Sequence, residues 1–376
     1  MQECVKCMLP AGKWNVTLNE DGTCNLCRHW QENKERITDY ETNSKLLIER
    51  LNKLRKSDNQ HNALLGFSGG KDSTYIAYTL AHKYGIKPLL MTYDNGFLNE
   101  YARQNIQTVI QRIGLDHFFH SFDPAIQQAF YRSSLAVFGD PCIACTVPGY
   151  YFHIKYAYEN RIPMIFHGRT PFQIFRNYYP ESKDIFIELH ETNYHPHSFE
   201  RLAEVYSLFS DSLKQLLKDL FPDDKELQDK AYNAIFFDVE SAKPEELPDF
   251  IGLFQYEEYD EESIKKQMEE AIGYKRPKGD ITLGHGDCDL HTAIANLYYL
   301  LHGEVSTATE ISAMIRHGVL TKNQAIELKD KYQDTESRRQ PGWTETLCQA
   351  ASLSTGAVDE IITNLSDGEP KQFHNH

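Results

Sequence analysis

Nine residues, Gly66-Phe67-Ser68-Gly69-Gly70-Lys71-Asp72-Ser73-Thr74, constrain this chain more than any others. They join a short apolar run, Asn62–Phe67, to a segment with apolar residues at helical spacing, Ser73–Tyr84. Glycines in such a turn let backbone N–H groups approach an anion with no Cβ in the way. A helix that starts there points its unpaired amides at the same spot. Ser68 and Ser73 add hydroxyls, and Lys71 adds positive charge. The turn therefore reads as a phosphate cradle. It is not a Walker A loop: Leu65 stands where the first glycine belongs, and Asp72 where the Ser/Thr belongs.

The sequence around the turn alternates. Lys87–Tyr93 is strand-like, Glu100–Ile113 helix-like, Asp116–Ser121 strand-like, Val147–Asn160 helix-like and Pro163–His167 strand-like. This spacing predicts an α/β fold, a parallel sheet flanked by helices, over residues 60–180, with the sheet open to completion from 181–290. Residues 31–59 suit one or two amphipathic helices forming a linker. Residues 181–376 read as mostly helical, with acidic runs (PDDKE, KPEELPD, YEEYDEE) on solvated faces and turns at Gly303, Gly318, Pro341–Gly342 and Gly356.

Six of the eight cysteines form three C-x-x-C pairs. In a chain of 376 residues without a secretory leader, such pairs point to metal or redox chemistry rather than disulfides. Cys4-x2-Cys7-x16-Cys24-x2-Cys27 has the spacing of a four-thiolate zinc ribbon over residues 1–30, with an iron–sulfur site as the alternative. So short a module needs the metal's binding energy to hold its shape. Asp140-Pro141-Cys142-Ile143-Ala144-Cys145 is expected in a loop after the third strand, near the carboxyl edge where open α/β sheets bind ligands. Cys288 lies in Gly284-His285-Gly286-Asp287-Cys288-Asp289-Leu290-His291. Three readings stay open. Cys142, Cys145 and Cys288 hold a [4Fe-4S] cluster with one open iron position, or one of the pair carries a persulfide, or zinc binds with His285 or His291. Cys348 reads as structural.

Charge and hydropathy narrow the partners. The formal net charge is −15 and no apolar stretch approaches membrane-spanning length, so nucleic acid and membrane are disfavoured and a cytoplasmic setting is expected.

Ser68-Gly69-Gly70-Lys71-Asp72-Ser73 resembles the SGGxDS signature of the PP-loop ATP pyrophosphatases, whose fold is similar to that of the adenine nucleotide alpha-hydrolases. The resemblance implies ATP with Mg²⁺. Phe67, Ser68, Gly69, Gly70, Lys71, Asp72 and Ser73 would hold the phosphates, with Lys71 and Asp72 catalytic. Thr92, Tyr93 and Asp94, with His167, Gly168 and Arg169, would lie near the adenosine. It also implies the reaction: adenylation of a carbonyl or amide oxygen, loss of pyrophosphate, then displacement of AMP by a nucleophile.

Leu9-Pro10, Gly22-x-Cys24-Asn25, Leu301-His302-Gly303 and Ser312–Thr321 look like the N-acetyl sugar amidotransferase branch of that family. The set Cys142, Cys145 and Cys288 looks instead like the tRNA-thiolation enzymes, which hold an iron–sulfur cluster. The expected function is ATP-dependent sulfur transfer to a small-molecule acceptor, with a sulfur-donor protein as partner. The alternatives are amidotransfer, with ammonia from a partner glutaminase, and tRNA thiolation. Arg169 and Arg176 are candidates for phosphate or substrate, and His167 and His285 for acid–base work. Phe172, Phe175, Tyr178 and Tyr179 line an acceptor pocket or pack the core. The helical C-terminal third suits a homodimer.

Overall fold

The computed structural model describes residues 2–54, 61–179, 184–275, 286–337 and 342–368. His285, Gly284 and Pro341 lie outside them. The N-terminal cysteine module is followed by α1 (Asn25–Ile37) and α2 (Tyr40–Leu54). Then come β1 (Leu64–Gly66), α3 (Lys71–His82), β2 (Leu89–Tyr93), α4 (Glu100–Ile113), β3 (His117–His120), α5 (Pro124–Phe138), α6 (Ile143–Glu159) and β4 (Met164–His167). After α7 (Pro171–Ile174), α8 (Ile185–Glu191), α9 (Phe199–Leu220) and α10 (Lys225–Ile235), the chain returns to the sheet as β5 (Asp249–Gly252), followed by α11 (Glu261–Ile272). The last third comprises α12 (His291–His302), α13 (Ala308–Arg316), α14 (Lys322–Ser337), α15 (Trp343–Ala351) and α16 (Thr355–Asp367).

The five strands run in the order β3-β2-β1-β4-β5, and every pairing is parallel. This is the α/β class expected, with the fifth strand drawn from the acidic segment. Successive side chains of a strand face opposite layers. Leu64, Met91, Ile165 and Phe250 pack beneath α5, α6 and α9. Leu65, Leu90, Phe166 and Ile251 pack against α2, α3, α4 and α11. Burial on both faces explains why β1, β2 and β4 read as apolar runs rather than alternating ones; β3, at the sheet edge, is only partly buried. Among the described residues, no helix is long and apolar enough to cross a membrane.

Two local expectations change, and one pair of alternatives is decided. Residues 124–138 form a full helix, capped by the Asp123 side chain and opened by Pro124, so the Cys142–Cys145 pair does not directly follow the third strand. Cys142 instead caps α6, and Cys145 lies in its first turn. Gly356 is the second residue of α16, not a turn. Phe172, Phe175, Tyr178 and Tyr179 are all buried, Phe175 and Tyr178 in one cluster with Trp30, so they pack rather than line an opening.

Candidate functional site

The chain leaves β1 for β2 on one side and later places β4 on the other, so the carboxyl ends of β1 and β4 flank a topological switch point. The glycine turn occupies it. Gly69 has φ 77°, and a Cβ there would lie 2.5 Å from the Ala102 carbonyl oxygen of α4. A Cβ on Gly168, just past β4, would lie 3.2 Å from the Ser73 amide. Both glycines therefore allow backbone to close around the start of α3. Ser68 Oγ accepts from the Gly70 amide at 3.2 Å and stands 3.4 Å from Ser73 Oγ. No side chain caps α3, so its first amides stay available. This cradle, which a Cβ would fill, fits a phosphate group.

Lys71 is ion-paired in this structure. Its ammonium donates to Asp72 Oδ2 at 2.7 Å, lies 3.9 Å from Glu261 Oε1 and sits over the Tyr259 ring. The Tyr259 hydroxyl donates to the other Asp72 oxygen at 3.0 Å. Both Asp72 oxygens are thus engaged, and burial raises its carboxyl above the usual range against the pull of Lys71. The run YEEYDEE is only partly a solvated face. Besides Tyr259 and Glu261 at the loop, its Glu257 receives the Tyr84 hydroxyl and the Lys83 ammonium.

The strand ends expected near adenosine are largely self-satisfied. Phe67 is a core side chain. Thr92 is buried, donates to the Phe67 carbonyl and bonds His117 Nε2 at 2.8 Å. The Tyr93 hydroxyl donates to Gln127 Oε1, and Asp94 pairs with Arg103 at 3.2 Å. His167 is fully buried, with its Nε2 3.0 Å from His190 Nε2. His190 Nδ1 donates to the Phe186 carbonyl and His167 Nδ1 accepts from the Arg169 amide, so the remaining proton lies between the two rings. Burial holds both imidazoles well below their usual range. His167 is a core residue, not an acid–base group. The Arg169 guanidinium lies 4.5 Å from the ring centres of both Tyr150 and Phe186. Arg176 Nη1 is 3.6 Å from Glu310.

Beyond β2, at the same carboxyl edge, the Asn95 amide nitrogen lies 3.2 Å from Cys145 Sγ and 3.8 Å from Cys288 Sγ. Cys288 arrives on a segment running antiparallel to 97–99. Leu98 bridges Cys288, and Asp289 N donates to Phe97 O at 2.9 Å. The Cys142 amide donates to Asp140 Oδ1 at 2.9 Å. Burial raises all three thiols, Cys145 to about 12. The negative charges of Asp140 at Cys142 and of Asp287 at Cys145 and Cys288 push the same way. Left as free thiols, they are protonated and poorly nucleophilic at neutral pH; a bound cation would favour their thiolates. The three sulfurs do not gather as tightly as a single ion requires, and neither does His291. That argues against one zinc shared by the three thiols and His291; His285, the other ligand considered, lies outside the described residues. The residues that sequence reasoning missed here are Asn95 and Tyr259, and Asp140 was quoted without a role. Asn95 directly follows a flagged strand end, which is the one signal that could have found it.

The N-terminal cysteines do gather. Cys4, Cys7, Cys24 and Cys27 are buried with all four sulfurs within 4.8 Å of one another. Cys4–Cys27 measures 3.8 Å and Cys7–Cys24 3.6 Å. Thiolates about 2.3 Å from a tetrahedral zinc sit roughly 3.8 Å apart. A multi-iron cluster would spread them further. The Lys6, Cys24 and Cys27 amides each donate to a sulfur of the group. The module is docked through Lys13 Nζ to the His302 carbonyl, Trp14 to the Tyr298 hydroxyl and the Ser312 hydroxyl to the Cys7 carbonyl.

No family model and no curated protein matches this chain. Among solved structures it is similar to the U34-tRNA thiolase NcsA from Methanococcus maripaludis with its [4Fe-4S] cluster. The likeness covers 96% of this chain and 89% of that one at 13% identity, with a TM-score of 0.32.

Proposed function

We propose that this chain is an ATP-dependent sulfurtransferase that adenylates a carbonyl oxygen and replaces it with sulfur. The observation that carries the reading is the meeting of two sites at one sheet edge. A phosphate cradle follows β1, and the thiols of Cys145 and Cys288 converge on Asn95 just beyond β2.

In this reading the amides that open α3, with Ser68 and Ser73, grip the triphosphate so that the α-phosphorus faces the acceptor oxygen. That oxygen bonds to phosphorus and pyrophosphate leaves. The acceptor carbon now carries AMP as its leaving group, and sulfur at the sulfide level displaces it with no change in the carbon's oxidation state. A [4Fe-4S] cluster held by Cys142, Cys145 and Cys288 would supply an iron position for that sulfur. Asn95 orients two of the three thiols. Cys4, Cys7, Cys24 and Cys27 hold a structural zinc in a closed shell, away from the chemistry.

A small amide and the carbonyl of a nucleobase are equivalent electrophiles in this scheme. The −15 charge favours the small molecule, while the structure to which the chain is similar is a tRNA thiolase. The test is anaerobic purification with metal and sulfide analysis, followed by pyrophosphate release from ATP with sulfide and either unmodified tRNA or a panel of small amides. Acceptor-dependent pyrophosphate release and a thiolated product support the reading, and the productive acceptor identifies the class. Pyrophosphate release with ammonia but not sulfide, unchanged in Cys145→Ala, would replace it with amidotransfer.

A further inference from the structure

Among the described residues, the cradle has no free cation. A nucleotide tail brings several negative charges, yet Lys71 is held by Asp72 and Glu261, and the Arg169 guanidinium is stacked between two aromatic rings. One further carboxylate instead faces the loop. A Cβ on Gly70 would lie 3.7 Å from Asp287 Oδ2. The placement is fixed by main chain: Asn99 N donates to the Asp287 carbonyl at 3.1 Å, and Asn99 Nδ2 to the Gly286 carbonyl at 2.7 Å. Among the described residues, no donor hydrogen-bonds the Asp287 carboxylate.

We propose that Asp287 is a ligand, direct or through water, of the divalent cation that enters with the nucleotide's phosphates. The inference rests on the nucleotide reading of the cradle. A carboxylate and a phosphate crowded into one cleft repel each other unless a cation joins them. Mg²⁺ typically takes one or two carboxylates and completes its shell with phosphate oxygens and water. Asp72, the acidic residue inside the loop, has both oxygens engaged by Lys71 and Tyr259. Among the described residues, Asp287 is the carboxylate left facing the cradle. The same short segment therefore carries an oxygen ligand for the nucleotide's metal and, at the next residue, the thiol of Cys288.

The test compares the holoprotein with its Asp287→Asn, Asp287→Glu and Asp289→Asn variants. Affinity for α,β-methylene-ATP is measured with and without Mg²⁺, and bound Mn²⁺ is read by electron paramagnetic resonance. In wild type, metal should strengthen nucleotide binding and nucleotide should strengthen Mn²⁺ binding. Asp287→Asn should lose at least tenfold of that mutual enhancement while keeping or improving metal-free nucleotide affinity. Asp289→Asn, an equal charge loss two residues away on an exposed residue, should behave as wild type. Asp287→Glu should retain part of the enhancement with an altered Mn²⁺ spectrum, and it carries the test if the amide variant does not fold. Wild-type enhancement in Asp287→Asn, or equal losses in both amide variants, overturns the assignment and leaves the nucleotide reading standing. A wild-type protein that binds no nucleotide overturns both.

Discussion

Gly69 combines a left-handed backbone with a Cβ position 2.5 Å from a carbonyl oxygen. A residue forced to keep positive φ costs about 1–3 kcal/mol, before the clash with α4 is counted. Gly69→Ala should therefore lower the denaturation midpoint and abolish nucleotide binding, measured by urea titration and equilibrium dialysis. The thiols act differently. Cys145→Ser and Cys288→Ser should keep ATP binding and lose sulfur transfer by more than about 100-fold, because removing one of a convergent group disables the whole. The buried histidines give a pH signature. His190 is pushed down to about 3, and His167 is also lowered, while unfolded imidazoles take up protons near pH 6.5. The unfolded state thus binds more protons as acid is added. Stability is complete above that pH and falls as pH drops through it, by up to about 1.4 kcal/mol per pH unit for each ring. Urea midpoints between about pH 7.5 and 5.5 should show the decline, and a flat profile would contradict the buried neutral pair.

Elements were legible where apolar runs made them so. β1, β2 and β4 follow from burial on both faces of a parallel sheet, which leaves a continuous apolar signature, whereas the edge strand β3 is only partly buried and α5 was not foreseen. β5 is only four residues long and begins with Asp249, so its acidic surroundings hid it. That aspartate is buried because Arg50 of α2 donates to it at 2.9 Å, with His197 at 3.1 Å, and Arg50 also donates to the Thr192 and His195 carbonyls. Such partnership across 199 positions leaves no local trace in sequence. Taking one partner from a buried pair strands the other charge, so Arg50→Ala should cost about 3–5 kcal/mol in urea unfolding. The cradle was readable as a contiguous motif. The commitment of Lys71 was not, because Tyr259 and Glu261 come from a distant acidic run that reads as solvated.

At the scale of the molecule, the cysteine module is a clasp rather than an appendage. It touches α12 through Lys13 and Trp14 and α13 through Ser312. Metal removal should therefore loosen more than the first thirty residues. Hydrogen exchange after treatment with a strong zinc chelator should show lost protection in α12 and α13 as well as in the module, while the β1–β2 core keeps its protection. Exchange confined to the module would show that the docking contributes little.

The pairing of 97–99 with 286–289 also sets an order of assembly. Asn95 and Cys288 are 193 positions apart, so a growing polypeptide displays its glycine turn long before the last sulfur of the set has been synthesised. A chain still on the ribosome, or one cut short by a premature stop, thus lacks the group that would complete the reaction. Under the proposed function, nucleotide activation and sulfur delivery become available together only once synthesis has passed residue 288.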